Sequence, residues 1–442
     1  MRHTDTIEKR RQDAARETPL KSVLRYAALF AGTAALLLLL LLAVTRIPRA
    51  AIRDNVLDSA RYLCEGELFG TVVEEVNGSR IDRYADAILL GIAWQFDGER
   101  PLAAVMRAAY YHDPYQNENA NLLRAVTEDY PANQQYLRYW HGSLVLLRPL
   151  LTVLDVREIY VLHGVLLSAA AVGLLALLLR RKAYAPALGA GLGMAATAFF
   201  FVPLSLEYYW VPMLTLLLSA LVVWRCERWR DFGAFFLIAG IVTNFLDFLT
   251  AETLTLLIPL LLLLWLRRDL SPMKTSLRLT LLWGVGYAGM WVLKWGLAAA
   301  VLRENILPDL TAHIEERLGA DFYHVGELRL LTGAVTRNVA CLFPLNYGLV
   351  GVLAALALAV FAVYYAFVYR RPGYDARLLL TLSAAGLLPY ARYLALRSHS
   401  YIHCFFTYRA QMATVLAAVL ILAELTARRR GPPRRKNAPS GA

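Results

Sequence analysis

The sequence predicts an all-α polytopic membrane protein with about ten transmembrane helices. Hydrophobic residues make up 58% of the 442 residues, whereas soluble globular chains contain roughly 45–50%. This excess is arranged in blocks, of which Leu36–Val44 and the Leu-rich stretch 254–266 are the purest. Because about 20 apolar residues cross the hydrocarbon core of a bilayer, these blocks and their apolar flanks are predicted membrane spans.

The apolar blocks define ten predicted spans. Their bounds are 23–47, 158–179, 184–202, 206–224, 232–247, 252–266, 279–301, 343–369, 378–396 and 405–427. The first block runs on to Arg46-Ile-Pro-Arg49 without a small-residue cleavage site. We therefore interpret it as a retained helix and not as a cleaved signal peptide.

Lys and Arg residues set the expected orientation of the spans. They concentrate in alternate connections, whereas the short turns 203–205 and 248–251 contain none. The basic segments are 1–22, 180–182, 225–231, 267–278, 370–377 and 428–442. The positive-inside rule then predicts a cytoplasmic basic N-terminus (1–22), an integral membrane domain (23–427) and a cytoplasmic basic tail (428–442) in a plasma or inner membrane.

The formal net charge of +12 lies mainly in these short runs between apolar blocks. In that position Lys and Arg meet anionic lipid head groups. No basic patch with interleaved aromatic residues resembles a nucleic-acid surface. We expect membrane lipids, and no nucleic acid, among the partners.

Two long segments are predicted on the outer face, 48–157 and 302–342. In the first, residues 81–96 have the periodicity of an amphipathic helix, and Pro101 suits the first turn of a second helix. Both helices are too short to span, so we expect them to lie in the membrane interface. The many charges of 302–342 are typical of a solvated lid or surface without chemistry.

Asp82 and Asp86 are the first candidates for chemistry. Residues four apart on a helix share one face. Beside apolar residues, a carboxyl of this pair can have a raised pKa and act as a base. The alternative is a solvated polar edge of a surface helix.

A second cluster surrounds Tyr139-Trp140-His141-Gly142, with Arg138 before it and Arg148 after it. Arginine offers a planar fork of donors, so Arg138, His141 and Arg148 are candidate phosphate ligands. The alternative is an aromatic belt with basic anchors at the membrane surface.

Further polar residues lie at the outer ends of later spans. Ionisable groups at this depth are expensive, which makes Asp247, Arg392 and Arg409 candidates for substrate binding; Asp247 can equally cap the next helix. His399 and His403 are four apart and can bind phosphate when charged or hold a metal with a third ligand. The metal itself is left open.

Four cysteines occur, Cys64, Cys226, Cys341 and Cys404, without a CxxC motif or a zinc signature. We interpret them as buried or idle thiols. The predicted topology allows a bridge from Cys64 to Cys341 or Cys404, but nothing in the sequence indicates one.

In its plan the chain resembles the GT-C superfamily of polytopic glycosyltransferases that use polyprenyl-phosphate sugars. The resemblance lies in a first span, a large outer loop with the acidic pair Asp82 and Asp86, many short inner turns, and a later polar outer loop at 302–342. It covers most of the chain as architecture.

This resemblance implies transfer of a sugar from a polyprenyl-phosphate donor to an envelope acceptor on the extracytoplasmic face of a bacterial inner membrane. Asp82 or Asp86 would deprotonate the acceptor hydroxyl. The arginines and histidines of the outer face would stabilise the leaving phosphate, directly or through a divalent cation.

Two other classes fit the same spans. A transporter or a flippase of lipid-linked substrates would need polar groups near the membrane midplane; Lys294 is the main such residue, and it can also snorkel outward. A non-catalytic envelope scaffold is the third interpretation.

Overall fold

The computed structural model describes residues 19–96, 98–229, 231–318, 325–342, 349–370 and 372–426. Within these ranges the regular structure is helical, with two isolated β-bridges. The predicted all-α class is therefore confirmed. Residues 1–18 of the predicted basic N-terminus, and the predicted tail 428–442, lie outside the described residues.

The described part of the chain begins with the apolar helix α1 (Pro19–Val44). Five shorter helices separate α1 from the next long apolar helix. They are α2 (Arg49–Cys64), α3 (Arg83–Gln95), α4 (Pro101–Arg107), α5 (Glu118–Thr127) and α6 (Leu144–Leu150). The predicted helices at 81–96 and from Pro101 are thus observed as α3 and α4. The segment 48–157 is a folded helical unit on one end of the bundle.

The middle of the chain forms six apolar helices. They are α7 (Val156–Arg180), α8 (Tyr184–Ala196), α9 (Leu206–Arg225), α10 (Gly233–Leu246), α11 (Leu254–Leu266) and α12 (Pro272–Leu302). Nearly every residue of α11 is buried, so this helix lies inside the bundle, as its all-round apolar sequence requires.

Seven further helices are described in the rest of the chain. They are α13 (Leu307–Leu318), α14 (Glu327–Ala340), α15 (Leu349–Tyr369), α16 (Ala376–Ala395), α17 (Arg397–Ile402), α18 (Cys404–Thr407) and α19 (Met412–Thr426). A 3₁₀ turn, Tyr408–Gln411, joins α18 to α19, and the three together make one apolar segment.

Seven helical segments of the described chain are long and apolar enough to cross a membrane. They are Leu20–Val44, Val156–Arg180, Leu206–Arg225, Pro272–Leu302, Val350–Tyr369, Ala376–Ala395 and Cys404–Thr426. Three further predicted spans correspond to α8, α10 and α11, which have 13, 14 and 13 residues. At about 1.5 Å per residue these are shorter than the roughly 30 Å hydrocarbon core. The chain is therefore an integral membrane protein with at least these seven candidate spans.

Helix α3 is more deeply buried than its amphipathic pattern predicts. Every residue from Asp86 to Gln95 is buried, because α2, α5, α6 and α9 all pack against it. Asp82 caps its first turn by accepting the Ala85 N–H at 2.8 Å. The solvated edge that the sequence allowed for the acidic pair is absent, since Asp82 is 4% exposed and Asp86 is 0% exposed.

Two buried cations connect the helical unit 48–157 to the bundle. This unit is called the outer unit below, after the side on which the sequence predicts it. Lys294 of α12 is fully buried and donates to the carbonyls of Val105 and Met106, at 2.9 and 3.0 Å. It therefore does not snorkel outward. Arg148 is also buried and donates to the carbonyls of Val44, Ile47 and Phe96. Both cations therefore satisfy backbone carbonyls at or near the C-terminal ends of helices.

Helices α10 and α12 pack closely against each other because a glycine of each helix lies against the backbone of the other. A Cβ added to Gly286 would lie 2.3 Å from the Leu237 carbonyl oxygen, and one on Gly240 would lie 2.1 Å from that of Trp283. Gly284, on the same helix, has nothing within 4 Å of its Cβ position. The two neighbouring glycines of α12 therefore have different roles.

We predict that Gly286→Ala destabilises the protein by about 1–3 kcal/mol, since the added methyl pushes two packed helices apart. Gly284→Ala is the matched control and leaves stability unchanged or slightly raised, because alanine favours helix. Thermal unfolding of the detergent-solubilised variants measures both. Equal melting temperatures for the two variants would contradict the helix contact.

Candidate functional site

A cavity of about 370 Å³ opens at the end of the bundle that carries the outer unit. It lies among α3, the start of α9, α13 and the α17–α18 connection. Acidic and basic groups line it together: Asp82, Glu207, Asp309 and Glu316 with Arg138, Arg317, His313, His399 and His403. Six aromatic side chains complete the wall: Tyr84, Tyr110, Tyr136, Tyr139, Phe248 and Phe406. Its volume is in the range of small-molecule sites.

Asp82 is the carboxyl of the predicted acidic pair that faces this cavity. Its Oδ1 accepts the Ala85 N–H, and its Oδ2 has no hydrogen-bond partner among the described residues. Burial raises its pKa to about 7, against the lowering effects of that hydrogen bond and of Arg80. A carboxyl with a pKa near neutrality is suited to take a proton at physiological pH.

Asp86 occupies a different environment, although it lies only one turn further along α3. Its Oδ1 accepts from the Ser205 hydroxyl at 3.0 Å and from the Leu206 N–H at 2.9 Å, and its Oδ2 accepts a short hydrogen bond from the Tyr160 hydroxyl. Burial raises its pKa to about 7. With three donors already bound and no place in the cavity wall, Asp86 joins α3 to α7 and α9.

Glu207 is a second acidic residue that lines the cavity, and it is not among the candidate residues predicted from the sequence. It lies in the first turn of α9 and lines both the main cavity and a smaller one of about 40 Å³ beneath it. An acid at the start of an apolar span looks like an ordinary water-facing residue. Nothing in its local sequence indicates that α3 packs beside it.

A cluster of cations forms one corner of the cavity. Arg138 lies 2.6 Å from the ring nitrogens of His313 and 4.5 Å from the centre of the Tyr136 ring. Arg317 donates to the Tyr139 hydroxyl at 3.0 Å. Arginine pairs of this kind suit a phosphate or carboxylate ligand.

Helix α13 forms the wall between the cavity and an apolar groove. Its polar face lines the cavity, while Leu310, Ile314 and Leu318 line the groove. The groove has about 370 Å³ and is completed by α12, chiefly by Trp291 and Trp295. Arg138, Tyr139, His313 and Arg317 border both spaces. Four charged or titratable residues of the segment 302–342 thus line the cavity, namely Asp309, His313, Glu316 and Arg317. The prediction that this segment is a lid or surface without chemistry stays a prediction.

His399 and His403 also line the cavity. Their ring centres are 4.8 Å apart, and the Nδ1 atom of each lacks a hydrogen-bond partner in the described part of the chain. Burial lowers the pKa of His403 to about 4 and that of His399 well below its usual value, with nearby charges adding to the effect. Both rings are therefore neutral near pH 7 and suited to hydrogen bonding more than to holding an anion.

His141 and Arg148, two other predicted phosphate ligands, lie beside the cavity and not in its wall. His141 lines the smaller cavity, where its Nε2 is 3.0 Å from the Tyr136 carbonyl and burial lowers its pKa to about 3. Arg148 is engaged by its three carbonyls.

Asp247 and Arg392 belong to a polar network behind the cavity. Asp247 accepts the N–H groups of Leu249 and Thr250, so it holds a turn in the α10–α11 connection. It does not cap the next helix, as one interpretation predicted, because the N-cap residue of α11 is Thr253. Arg392 forms a buried bidentate pair with Glu252, at 2.9 and 3.1 Å, and donates to Leu249. The network fixes the α10–α11 connection against the end of α16.

Arg409 is 2% exposed and stacks on the rings of Tyr208 and Tyr408, at 4.8 and 5.1 Å. It lies behind the wall of the cavity. Its Nη1 donates weakly to the Phe405 carbonyl at 3.4 Å. The structure thus brings Asp82, Arg138, His399 and His403 of the predicted residues to one cavity.

The described residues contain no group of three or more His, Cys, Asp or Glu side chains placed to hold a metal ion. The third ligand that the His399–His403 spacing requires is thus absent from that part of the chain. The divalent cation that the family resemblance allows stays a prediction.

No protein-family model, curated protein or solved structure matches the chain. The site is therefore interpreted from its own geometry.

We predict that the protein loses stability as the pH rises from about 5 to about 7. Burial raises the pKa of Asp86 from 3.8 to about 7, so in this range the unfolded state is ionised and the folded state retains the proton. Stability is highest below the unfolded pKa and falls by up to about 1.4 kcal/mol per pH unit until the folded pKa is reached.

The test compares the pH dependence of the melting temperature in wild type and Asp86→Asn. Asparagine keeps the shape of the side chain and an oxygen that accepts from Ser205 and Leu206, while its amide N–H donates to the Tyr160 oxygen. We expect a shallower slope in Asp86→Asn. Asp58→Asn, at an exposed acid of α2, serves as control and keeps the wild-type slope. Parallel curves for all three proteins would show that Asp86 is not a proton-binding group in the folded state.

Proposed function

We propose that the protein is a membrane glycosyltransferase that moves a sugar from a polyprenyl-phosphate donor to an envelope acceptor. The observation that carries this proposal is the shared border of the polar cavity and the apolar groove, formed by Arg138, Tyr139, His313 and Arg317. A donor of this class has an apolar chain, a phosphate and a polar sugar in sequence. The apolar groove, the cationic border and the polar cavity are arranged in the same order as these three parts of the donor.

The phosphate is assigned to Arg138 and Arg317. Arginine forks bind phosphate oxygens with two parallel hydrogen bonds, and both residues lie where the groove meets the cavity. The prenyl chain then lies along α12 against Trp291 and Trp295. The sugar enters the cavity on the side of Asp82.

Asp82 is the proposed base. It takes the proton of an acceptor hydroxyl, the hydroxyl oxygen attacks the anomeric carbon, and the bond from that carbon to the phosphate oxygen breaks. The two arginines stabilise the charge of the leaving lipid phosphate. Neutral His399 and His403 donate or accept hydrogen bonds from sugar hydroxyls, and Asp86 holds α3 in place without touching substrate.

The finer topology also belongs to this proposal. Counting α8, α10 and α11 as crossings gives ten spans and places both termini in the cytoplasm. The cavity is then extracytoplasmic, because it lies at the bundle end opposite to the basic connections 180–182 and 267–278. A lipid-linked donor suits a plasma or bacterial inner membrane enzyme that works on this face.

We predict that an impermeant maleimide labels Cys64 in intact cells, since this exposed thiol ends α2 on the cavity side. In a Cys64→Ser background, Ser271→Cys is labelled only after permeabilisation, because exposed Ser271 lies at the opposite end of the bundle. Labelling of Ser271→Cys from outside would reverse the orientation and remove the extracytoplasmic site.

We predict that Asp82→Asn lowers sugar transfer by about 10²-fold or more, the usual effect of losing a general base. The assay uses reconstituted protein, crude polyprenyl-phosphate sugars and membrane acceptors. Asp58→Asn is the matched control, an exposed acid of the same outer unit with an Arg61 partner, and retains full transfer. Folded yield is measured for each variant.

The outcomes separate the proposed enzyme from a transporter or flippase. Loss of transfer in folded Asp82→Asn, with transfer intact in Asp58→Asn, supports the enzyme and its base. A wild-type protein that transfers no sugar from any lipid donor, yet moves a lipid-linked substrate across vesicles, would replace the glycosyltransferase with the flippase.

A further inference from the structure

Two cysteines that are far apart in sequence meet outside the polar cavity. Cys341 follows the last residue of α14, and Cys404 begins α18. With Tyr408 they form a small buried cluster of their own. The Asn77 side-chain amide donates to both sulfurs, at 3.5 Å to Cys341 and 3.4 Å to Cys404. The sequence allowed a bridge from either cysteine to Cys64, but Cys64 is exposed at the end of α2.

We propose that Cys341 and Cys404 form a disulfide bond when the protein meets a disulfide oxidant. The bond would fasten α14 to the start of α18. Each thiol is 1% exposed, and all four cysteines are free thiols in the structure. The inference does not depend on the proposed sugar transfer.

The two backbones are already held in register for such a bond. Asn338, one turn before Cys341, donates to the Ser400 carbonyl at 2.9 Å and accepts from the Thr407 hydroxyl at 2.7 Å. Gln411 donates to the Asn338 carbonyl at 2.8 Å. Because these contacts lie on both sides of Cys404, they hold the Cys341 end of α14 against the chain segment that carries Cys404.

The second requirement is access for an oxidant. A polar pocket of about 420 Å³ reaches Cys404 and is lined by Arg80, Arg337 and Asn77. Two guanidinium groups and an amide N–H stabilise a thiolate, which is the attacking species in thiol–disulfide exchange. Cys404, and not Cys341, lines this pocket, so Cys404 is the thiol that we expect to meet the oxidant first.

The chemistry is two successive exchanges. The Cys404 thiolate attacks one sulfur of the oxidant R–S–S–R, forms a mixed disulfide and releases one RS⁻. The Cys341 thiolate then attacks the Cys404 sulfur, forms the internal bond and releases the second RS⁻. The two thiol protons end on the two RS⁻ ions, and the oxidant receives two electrons.

The bond would lie next to the cavity wall. His403 directly precedes Cys404, and His399 is one turn earlier. A covalent link between Cys341 and Cys404 therefore limits the movement of the α17–α18 connection that carries both histidines. The link also closes a chain segment that contains α15 and α16, which constrains the unfolded state.

The experiment treats the purified full-length protein with oxidised glutathione, denatures it in the presence of N-ethylmaleimide and maps its peptides by mass spectrometry. We expect a cross-linked pair of peptides that contain Cys341 and Cys404, with Cys64 and Cys226 alkylated. The Cys64→Ser/Cys226→Ser double variant is the matched control and forms the same bridge. Reduction with dithiothreitol restores alkylation of Cys341 and Cys404.

A second measurement keeps the test independent of how well single-cysteine variants fold. Oxidised wild type is expected to melt at a higher temperature than reduced wild type, and Cys404→Ser is expected to show no such difference. Alkylation of all four thiols after oxidation, a glutathione adduct on Cys404 without a cross-link, or a bridge that includes Cys64 would each overturn the proposal.

Discussion

The buried carboxyl of Asp86 joins the outer helix α3 to the first turns of two long apolar helices. It accepts from Tyr160 of α7 and from Ser205 and Leu206 at the start of α9. A buried carboxyl without such donors would be very unfavourable, and in the observed position of α3 the three donors offset part of that cost. In that position Asp82, at the start of α3, lines the same cavity as Glu207 of α9.

The same constraint acts at other points of the cavity end. Arg392 and Glu252 form a buried bidentate pair, and Lys294 and Arg148 satisfy backbone carbonyls at or near the C-terminal ends of helices. Truncating one partner of such a contact leaves the other buried and unpaired, which is strongly destabilising. These residues fix the frame, whereas the Nδ1 atoms of His399 and His403, two residues that line the cavity, have no hydrogen-bond partner among the described residues.

Helix α13 gives the site its two different environments. Its sequence has acids and bases on one face and Leu310, Ile314 and Leu318 on the other. A helix with this pattern needs water or polar groups on one side and apolar surface on the other. Placed between the cavity and α12, it separates a polar space from an apolar one, and Arg138 and Arg317 mark where they meet.

Local sequence patterns predict the all-helical class, the long apolar spans and the start of α3. They can do so because the length of an apolar block and helical periodicity are local properties. The sequence also identified Asp82 and the His399–His403 pair as unusual, because ionisable residues near apolar spans are rare. It did not identify Glu207, His313 or Arg317. Each looks like a normal solvated residue until another segment folds over it.

The sequence by itself determined an all-helical membrane chain, because burial of about 20 consecutive apolar residues admits few alternatives. Only the tertiary structure decided which polar groups share a space. Asp86 and Arg148 matched the pattern of a site, yet both are engaged in joining segments, while Asp82 faces the cavity. That division depends on long-range contacts, and spacing along the chain does not encode which neighbour a buried charge will meet.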